Sequence, residues 1–363
     1  MLDLRSSKHH LKIRIVHADG SPVDVGDEEP VAPINFIAAT LFETVHMYIN
    51  QFLVTPSGGQ NNPYRAIIEA LLDRSRFEKD TIMGASLYKK DEAFKMHDPG
   101  SSGFQWRWAL MTGSRPCDVT APLLVDLAEQ ERLLLNGLEV GFKFFPARPE
   151  FTLLSHVEGA DYRIQILDAF LRVKTLIPSL LLAVESTLSL SPALYPVMRT
   201  EVRRFLIHSG QHGFTLEDVF QSQVPSILVM GLVKERGASR NFQLNPFCWE
   251  HGFLSEIHVT VDDRPCGQTV MKFHYDGDSY LKSSYLDGYE SLFLKDTTEL
   301  EEDSASFCDI TRRDYVGGYA LLKFRFSTTK SREPAYQCHV QQTRGGESQF
   351  GSLRQISHSH NPR

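Results

Sequence analysis

Apolar and polar residues alternate along much of this chain, and that alternation predicts strands. Leu11, Ile13 and Ile15 are interleaved with Lys12, Arg14 and Val16 ahead of an Asp19-Gly20 turn. Val45, Met47 and Ile49 alternate with His46, Tyr48 and Asn50. Leu133 to Leu135, then Asn136-Gly137, then Leu138, Val140, Phe142 and Phe144 predict a hairpin around a type I′ turn, because Asn-Gly supplies the positive φ that such a turn needs. Tyr162, Ile164, Ile166 and residues 170–176 predict one or two more strands. After Pro192 and Pro196 the pattern resumes: residues 197–207 alternate, and residues 227–233 are continuously apolar. Ile257, Val259 and Val261 precede Asp262-Asp263, and residues 319–326 place Leu322, Phe324 and Phe326 on one face. Helical signals are few. Asn62-Pro63 followed by apolar positions 67, 68, 71 and 72 predicts a helix to Asp73, and residues 180–190 predict a connecting helix.

The chain therefore divides into two all-β units, 1–190 and 191–345, without an internal sequence repeat. Many short strands punctuated by turns point to sandwiches or jelly rolls, whose double sheets limit exposed edges. Residues 74–123 form a long, turn-rich insertion in the first unit, with an aromatic patch of Phe104, Trp106 and Trp108. Aromatics two apart on a strand share a face, which makes these three the candidate subunit-contact residues, with core packing and ligand stacking as the alternatives. From Ser331 the strand pattern fails, and residues 346–363 read as a mobile tail.

Composition narrows the function classes. A chain of 363 residues, 42% hydrophobic and 23% charged, has a globular composition, and it is long enough for more than one core. A formal charge of −7 does not suit a protein that coats nucleic acid through bulk charge. The five cysteines (Cys117, Cys248, Cys266, Cys308 and Cys338) are odd in number and contain no CxxC pair, which argues against a zinc framework and suits a reducing compartment. The first residues have no apolar signal region and no stretch is long enough to span a membrane, so an intracellular, non-secreted chain is expected.

No catalytic or cofactor constellation emerges, and no enzyme is expected. Phosphate-loop, dinucleotide and GxSxG motifs are absent. His358-Ser359-His360 has metal-like spacing but lies in the predicted tail. His258 and His274 with Asp262 or Asp276 could form a metal face, although each histidine sits within a strand pattern and no spacing signature supports a ligand set. Asp19, Asp24, Asp27, Glu28 and Glu29 form an acidic loop without calcium-loop order. Cys117 has no neighbouring histidine in sequence to activate it, and Arg199, Arg203 and Arg204 have no supporting positive field for a phosphate.

Several motifs together resemble one family. Residues 41–54 followed by Asn62-Pro-Tyr-Arg-Ala-Ile-Ile-Glu-Ala-Leu-Leu72 resemble the strand pair and "YPYRAYIETLL" helix of the major capsid proteins of Polinton (Maverick) elements and adintoviruses. Residues 125–137 resemble that family's "DLFFQDRLLLNGV", residues 162–173 its "YKVKILDAKLFVR", and residues 195–202 its "YP-RVEV". Leu244-Asn-Pro-Phe247 resembles its "KNPFNF" and residues 313–319 its "DYPNGY", so that the agreement runs in order from about Leu2 to Phe326. The resemblance implies a double jelly roll, two eight-stranded barrels side by side. It also implies a hexon-like homotrimer in an icosahedral virion, with penton or minor capsid partners and no sequence-specific nucleic-acid contact. Under it, residues 74–123 would reach toward neighbouring subunits or the outer surface. The chain departs from the family at both ends. The match begins almost at Met1, where members carry an arm and first strand, and residues after Lys330 lack their last two strands, so an incomplete second jelly roll is expected, as in an incomplete endogenous copy. The alternative is a host-retained jelly-roll module that binds protein or glycan without assembling.

Overall fold

The computed structural model describes residues 1–23, 30–55, 61–176, 193–208, 210–217, 219, 225–239, 241–261, 264–277, 279–293, 307–326, 336–342 and 352–360. The connecting helix expected at 180–190, Asp24 to Glu29 of the acidic loop, and Asp262-Asp263 lie outside them.

The first half contributes β1 (Leu2–His17), β2 (Val31–Pro33), β3 (Phe42–Ile49), β4 (Phe52–Leu53), β5 (Cys117–Pro122), β6 (Val140–Pro146), β7 (Leu153–Ser155) and β8 (Tyr162–Thr175). These form sheets of order β5-β1-β8 and β4-β3-β6, with β2 and β7 paired beside them. In β1 the alternation works as expected: Leu11, Ile13 and Ile15 are buried, while Arg14 reaches out to Gln165 on β8 at 2.8 Å. The ring of His9 meets Phe42 and Phe144 at 6.1 and 5.8 Å, so the two sheets pack face to face. β8 is one long strand through residues 162–175, antiparallel to β1 with a bulge near Lys12.

The second half contributes β9 (Met198–Phe205), β10 (Gly213–Glu217), β11 (Ile227–Val233), β12 (Leu254–Val261), β13 (Arg264–Lys272), β14 (Leu321–Arg325), β15 (Tyr336–Gln342) and β16 (Ser352–His360). They pair as β10-β15-β12-β13 and β14-β11-β16-β9, and neither sheet includes a strand of the first half. The continuous apolar run of β11 matches its burial on both faces: Leu228, Val229, Met230 and Val233 are all buried. A Cβ at Gly231 would stand 2.5 Å from Trp249 Cδ1 and 2.8 Å from Leu321 Cδ2. Gly231→Ala is therefore expected to lower stability by about 1–3 kcal/mol through overpacking, visible as a lower urea midpoint at unchanged slope.

The short helices are α1 (Ile37–Thr40), α2 (Asn62–Asp73), α3 (Arg76–Asp80), α4 (Ser102–Met111), α5 (Asp126–Glu129), α6 (Pro149–Thr152), α7 (Glu235–Ser239), α8 (Leu286–Ser291) and α9 (Arg312–Val316). α2 starts on Asn62-Pro63 as expected and is buried along nearly its whole length. α3 and α9 each open on a capping box, Ser75 with Glu78 and Thr311 with Asp314.

Four expectations differ from this fold. Asn136-Gly137 does make a turn, with Gly137 at φ 81°, but its flanks do not pair with each other: Leu134 bridges to Leu2, and β6 pairs with β3. The turn chemistry is local, whereas strand partners are chosen by the sheet. Trp106 and Trp108 lie on the helix α4, where residues two apart do not share a face, so the shared strand face expected for them is absent. The tail expected from 346 contains β16, which pairs with both β11 and β9. With β15 it gives the second half two four-stranded sheets, so the strands expected to be missing are present there.

Candidate functional site

Three features concentrate unusual chemistry, and all lie where the two halves of the chain meet. The first is an aromatic column. Tyr64 of α2 packs on Phe151 of α6 and on Phe247 at 5.7 and 5.4 Å; Phe247 stacks on Trp249 at 6.2 Å, and Trp249 on Tyr319 at 6.4 Å. All of these rings are buried, and the Tyr64 hydroxyl donates to the Pro246 carbonyl at 3.1 Å. The Asn-Pro-Phe turn is built by Asn245, whose side-chain oxygen accepts the Phe247 amide at 2.9 Å.

The second feature is a set of buried ion pairs from residues 74–123. Arg107 of α4 is fully buried: its Nε donates to the Pro33 carbonyl at 2.9 Å, and its Nη2 to Asp91 Oδ1 at 2.7 Å. The other Asp91 oxygen accepts from Asn245 Nδ2 at 3.1 Å, and the Asp91 carbonyl accepts the Tyr319 hydroxyl at 2.8 Å. The buried Lys79 of α3 donates to Asp309 at 2.8 Å and to the carbonyls of Leu71 and Phe307. Lys90 bonds Asp314 of α9 at 2.8 Å and lies over the Tyr319 ring. Phe94, at φ 64°, donates its amide to the Gly317 carbonyl at 2.7 Å. Residues 74–123, expected to reach toward neighbours, are thus tied to both halves of their own chain: α4 packs on β2 and β5 is woven into the first, while Lys79, Lys90, Asp91 and Phe94 bond the second.

The third feature is a four-charge cluster. Arg65 of α2 is clamped by Glu69 at 2.7 Å and by Asp126 and Glu129 of α5 at 2.6 Å each. Asp126 also accepts the Thr200 amide of β9 at 3.4 Å, and Asn61 Nδ2 donates to the Val202 carbonyl. Burial and the neighbouring Glu69 push the Glu129 carboxyl up to about 7, while the three carboxylates hold the Arg65 guanidinium above its ordinary value against its own burial. The motifs at 62–72, 125–137, 195–202, 244–247 and 313–319 all contribute to this seam; the Tyr195 hydroxyl, for instance, donates to the Leu133 carbonyl at 3.3 Å.

A ring nitrogen of His97, Cys248 Sγ and a Glu250 carboxylate oxygen lie within 4.8 Å of one another, a grouping that sequence spacing did not reveal. They do not fit a metal well. His97 Nδ1 accepts the Asn245 amide at 2.9 Å, which leaves the ring proton on the buried Nε2. A ligating imidazole instead donates its second N–H outward. Glu250 is already held by Lys234 at 2.6 Å, and burial keeps the Cys248 thiol protonated.

The residues singled out from the sequence scatter. His258 on β12 has Glu256 at 3.8 Å, whereas His274 bridges to Ser284 away from it. His358 and His360 lie in β16. Cys117 opens β5, with burial raising its thiol. Arg203 donates to the Val219 carbonyl and pairs with Glu201. Phe104 is buried, while Trp106 and Trp108 are half-buried against the core, and Lys89 lies 5.9 Å over Trp106.

No family model matches the chain. It is 27% identical over 244 residues to the uncharacterized protein F54H12.2 of Caenorhabditis elegans, a match covering 66% of this chain and 55% of that protein. The chain thus spans about half the length of the curated relative it matches. Among solved structures, a chain of the 3.5 Å cryo-EM structure of the Sputnik virophage superposes with a TM-score of 0.54 at 10% identity, over 98% of this chain and 79% of that one. The crystal structure of PBCV-1 Vp54 fitted into a Sputnik reconstruction gives 0.54 at 9% identity, over 98% and 86%. At such identities the likeness is one of fold: a mostly β chain with a few short helices, matching the double jelly rolls of viral capsid proteins. No helix among the described residues is long and apolar enough to cross a membrane.

Proposed function

We propose that this chain is a structural capsid protein, hexon-like, whose trimers tile a virion shell. The observation that carries this reading is the seam. Two jelly-roll halves are fixed to each other by a buried aromatic column and by ion pairs, with the charged groups engaged in holding backbone rather than converging on a substrate-sized cleft. A shell subunit needs a rigid block with both barrels held at one angle, since each contact in a closed lattice repeats that geometry. The likeness of fold to Sputnik and PBCV-1 chains supports the same reading. The finer assignment, to a Polinton or adintovirus-like element carried in a host genome, rests on the ordered motif resemblance. Under it the protein has no enzymatic activity of its own, and penton or minor capsid proteins would close the vertices.

Trp106 and Trp108 remain the candidate subunit contacts, with Phe104 as their anchor in the core. Light scattering coupled to size exclusion is expected to give a mass three times that of the chain, and Trp106→Ala with Trp108→Ala to shift it toward monomer. Monomers at every concentration, together with capture of one defined protein or glycan, would instead favour a jelly-roll binding module.

A further inference from the structure

The chain carries a formal charge of −7, yet one face of its first half is basic. On β1, Lys8, His10, Lys12 and Arg14 alternate with the buried His9, Leu11, Ile13 and Ile15, so these four turn away from the core. Residues directly opposite on neighbouring strands share a face. The β8 partners of the four are Arg172, Phe170, Asp168 and Gln165, and β5 places Thr120 beside His10 and Asp118 beside Lys12. Arg163 follows on β8, opposite Val16, and is exposed. Lys8, Lys12, Arg14, Arg163 and Arg172 thus stand against two carboxylates, with Lys8 and Arg14 about 20 Å apart along the strand. The ion pairs of this half lie at the margins of that face: Arg5 with Glu131, His17 with Asp161, and Lys174 with Asp3. Among the described residues, none of the five central cations forms one.

An aromatic pair sits in the middle of these charges. The ring of His10 stacks on that of Phe170, with centroids 4.9 Å apart and planes 2° from parallel, and Thr120 Oγ1 meets His10 Nε2 at 3.3 Å. Phe170 is nevertheless 51% exposed. The positive field is felt at this point: desolvation, and after it the charges of Arg172 and Lys8, lower the His10 imidazole below its ordinary value despite the nearby Asp118. A flat ring held open between unpaired cations is the combination that tracks a phosphate backbone and stacks its bases.

We propose that the outer face of the β5-β1-β8 sheet binds single-stranded nucleic acid without regard to sequence, its cations meeting phosphates and Phe170 stacking a base on the side away from the core. Charge and ring together select this occupant. An acidic segment of a second copy would satisfy the cations but brings no π face to Phe170, and a duplex keeps its bases stacked on one another. The negative charge of the rest of the chain confines a polyanion to this face and keeps the background low. The proposal goes beyond the capsid reading and does not rest on it, since trimer formation and strand binding are measured separately.

Fluorescence anisotropy of a labelled oligothymidylate with the 363-residue chain tests it. With three or four phosphates engaged, affinity is expected to fall about 20–50-fold between 50 and 200 mM salt. Lys8→Glu with Arg172→Glu should weaken binding about tenfold or more and flatten that slope. Phe170→Ala leaves the charge of the face unchanged and should weaken binding about fivefold or more at the same slope. Urea midpoints measured alongside should stay at the native value for Phe170→Ala, because its side chain lies at the surface. The proposal fails if the oligonucleotide does not bind at 50 mM salt, or if the charge reversal leaves binding intact. It also fails if Phe170→Ala binds as the native chain does while inorganic polyphosphate competes equally, since the face would then read charge alone. Salt-sensitive self-association that the charge reversal abolishes, without oligonucleotide binding, would assign the face to an acidic segment of a second copy and overturn the proposal.

Discussion

Replacing Arg107 with Met is expected to destabilise the protein by about 3–5 kcal/mol, measured as the loss in unfolding free energy in urea. The guanidinium is fully buried and its donors reach the Pro33 and Lys89 carbonyls and the Asp91 carboxylate. Met matches the stem in length but supplies no donor, so a buried carboxylate and two carbonyls lose their partner together. Water has little room to replace it, since a Cβ on Gly103 would already collide with the Asp91 carboxylate. The loss should spread across the seam, because Asp91 also holds Asn245 and, through its carbonyl, Tyr319. The double substitution Arg107→Met with Asp91→Leu removes both charges and is expected to cost less than Arg107→Met alone. An equal or larger cost for the double variant would mean that Arg107 acts through packing rather than charge.

Most of the strands that place this seam were legible from their burial: β1, β3, β9 and β12 show the alternation of one buried face, and β11, buried on both faces, shows a continuous apolar run. β15 and β16 were not legible. Gln-Cys-His-Val-Gln-Gln and Arg-Gln-Ile-Ser-His-Ser-His have weak patterns, and these strands take their places from two hydrogen-bonded neighbours each, which no local signal encodes. α4 was missed because its aromatic residues stand on several sides of the helix, so no single stripe marks the period. The motifs at 62–72, 244–247 and 313–319 could be picked out, but not the fact that they touch. Asp91, Arg107 and Asn245 are joined by geometry across more than a hundred residues, a relation that has no sequence spacing. The resemblance pointed to absent strands at both ends, yet the polar C-terminal region contains β15 and β16, which take places in the two sheets of the second half.

Arg65→Met should have an effect of similar size, about 3–5 kcal/mol at neutral pH, and unlike the Arg107 variant it should be strongly pH-dependent. One cation here faces three carboxylates, so the cluster already carries excess negative charge, and Glu129 relieves part of it by holding a proton up to about 7. A carboxyl whose folded pKa lies above its unfolded value of about 4.3 binds more protons in the folded state across that window. Its contribution is therefore fully present below about pH 4 and is lost as pH rises to about 7, with no further change above. The Glu129 side chain is 36% exposed, so solvent screening keeps the slope in the native protein shallow. Without the guanidinium, Glu69 and Asp126 lose their counter-ion in a buried site, and the crowding of negative charge around Glu129 is no longer offset. Thermal melts between pH 5 and 8 should then show the native midpoint falling gently toward neutral pH and the Arg65→Met midpoint falling steeply, the two converging at the acid end. Because Asp126 also holds the Thr200 amide, exchange protection of β9 should fall in parallel with the midpoint. Parallel pH profiles for the two proteins would show that Arg65 does not govern the protonation of this cluster.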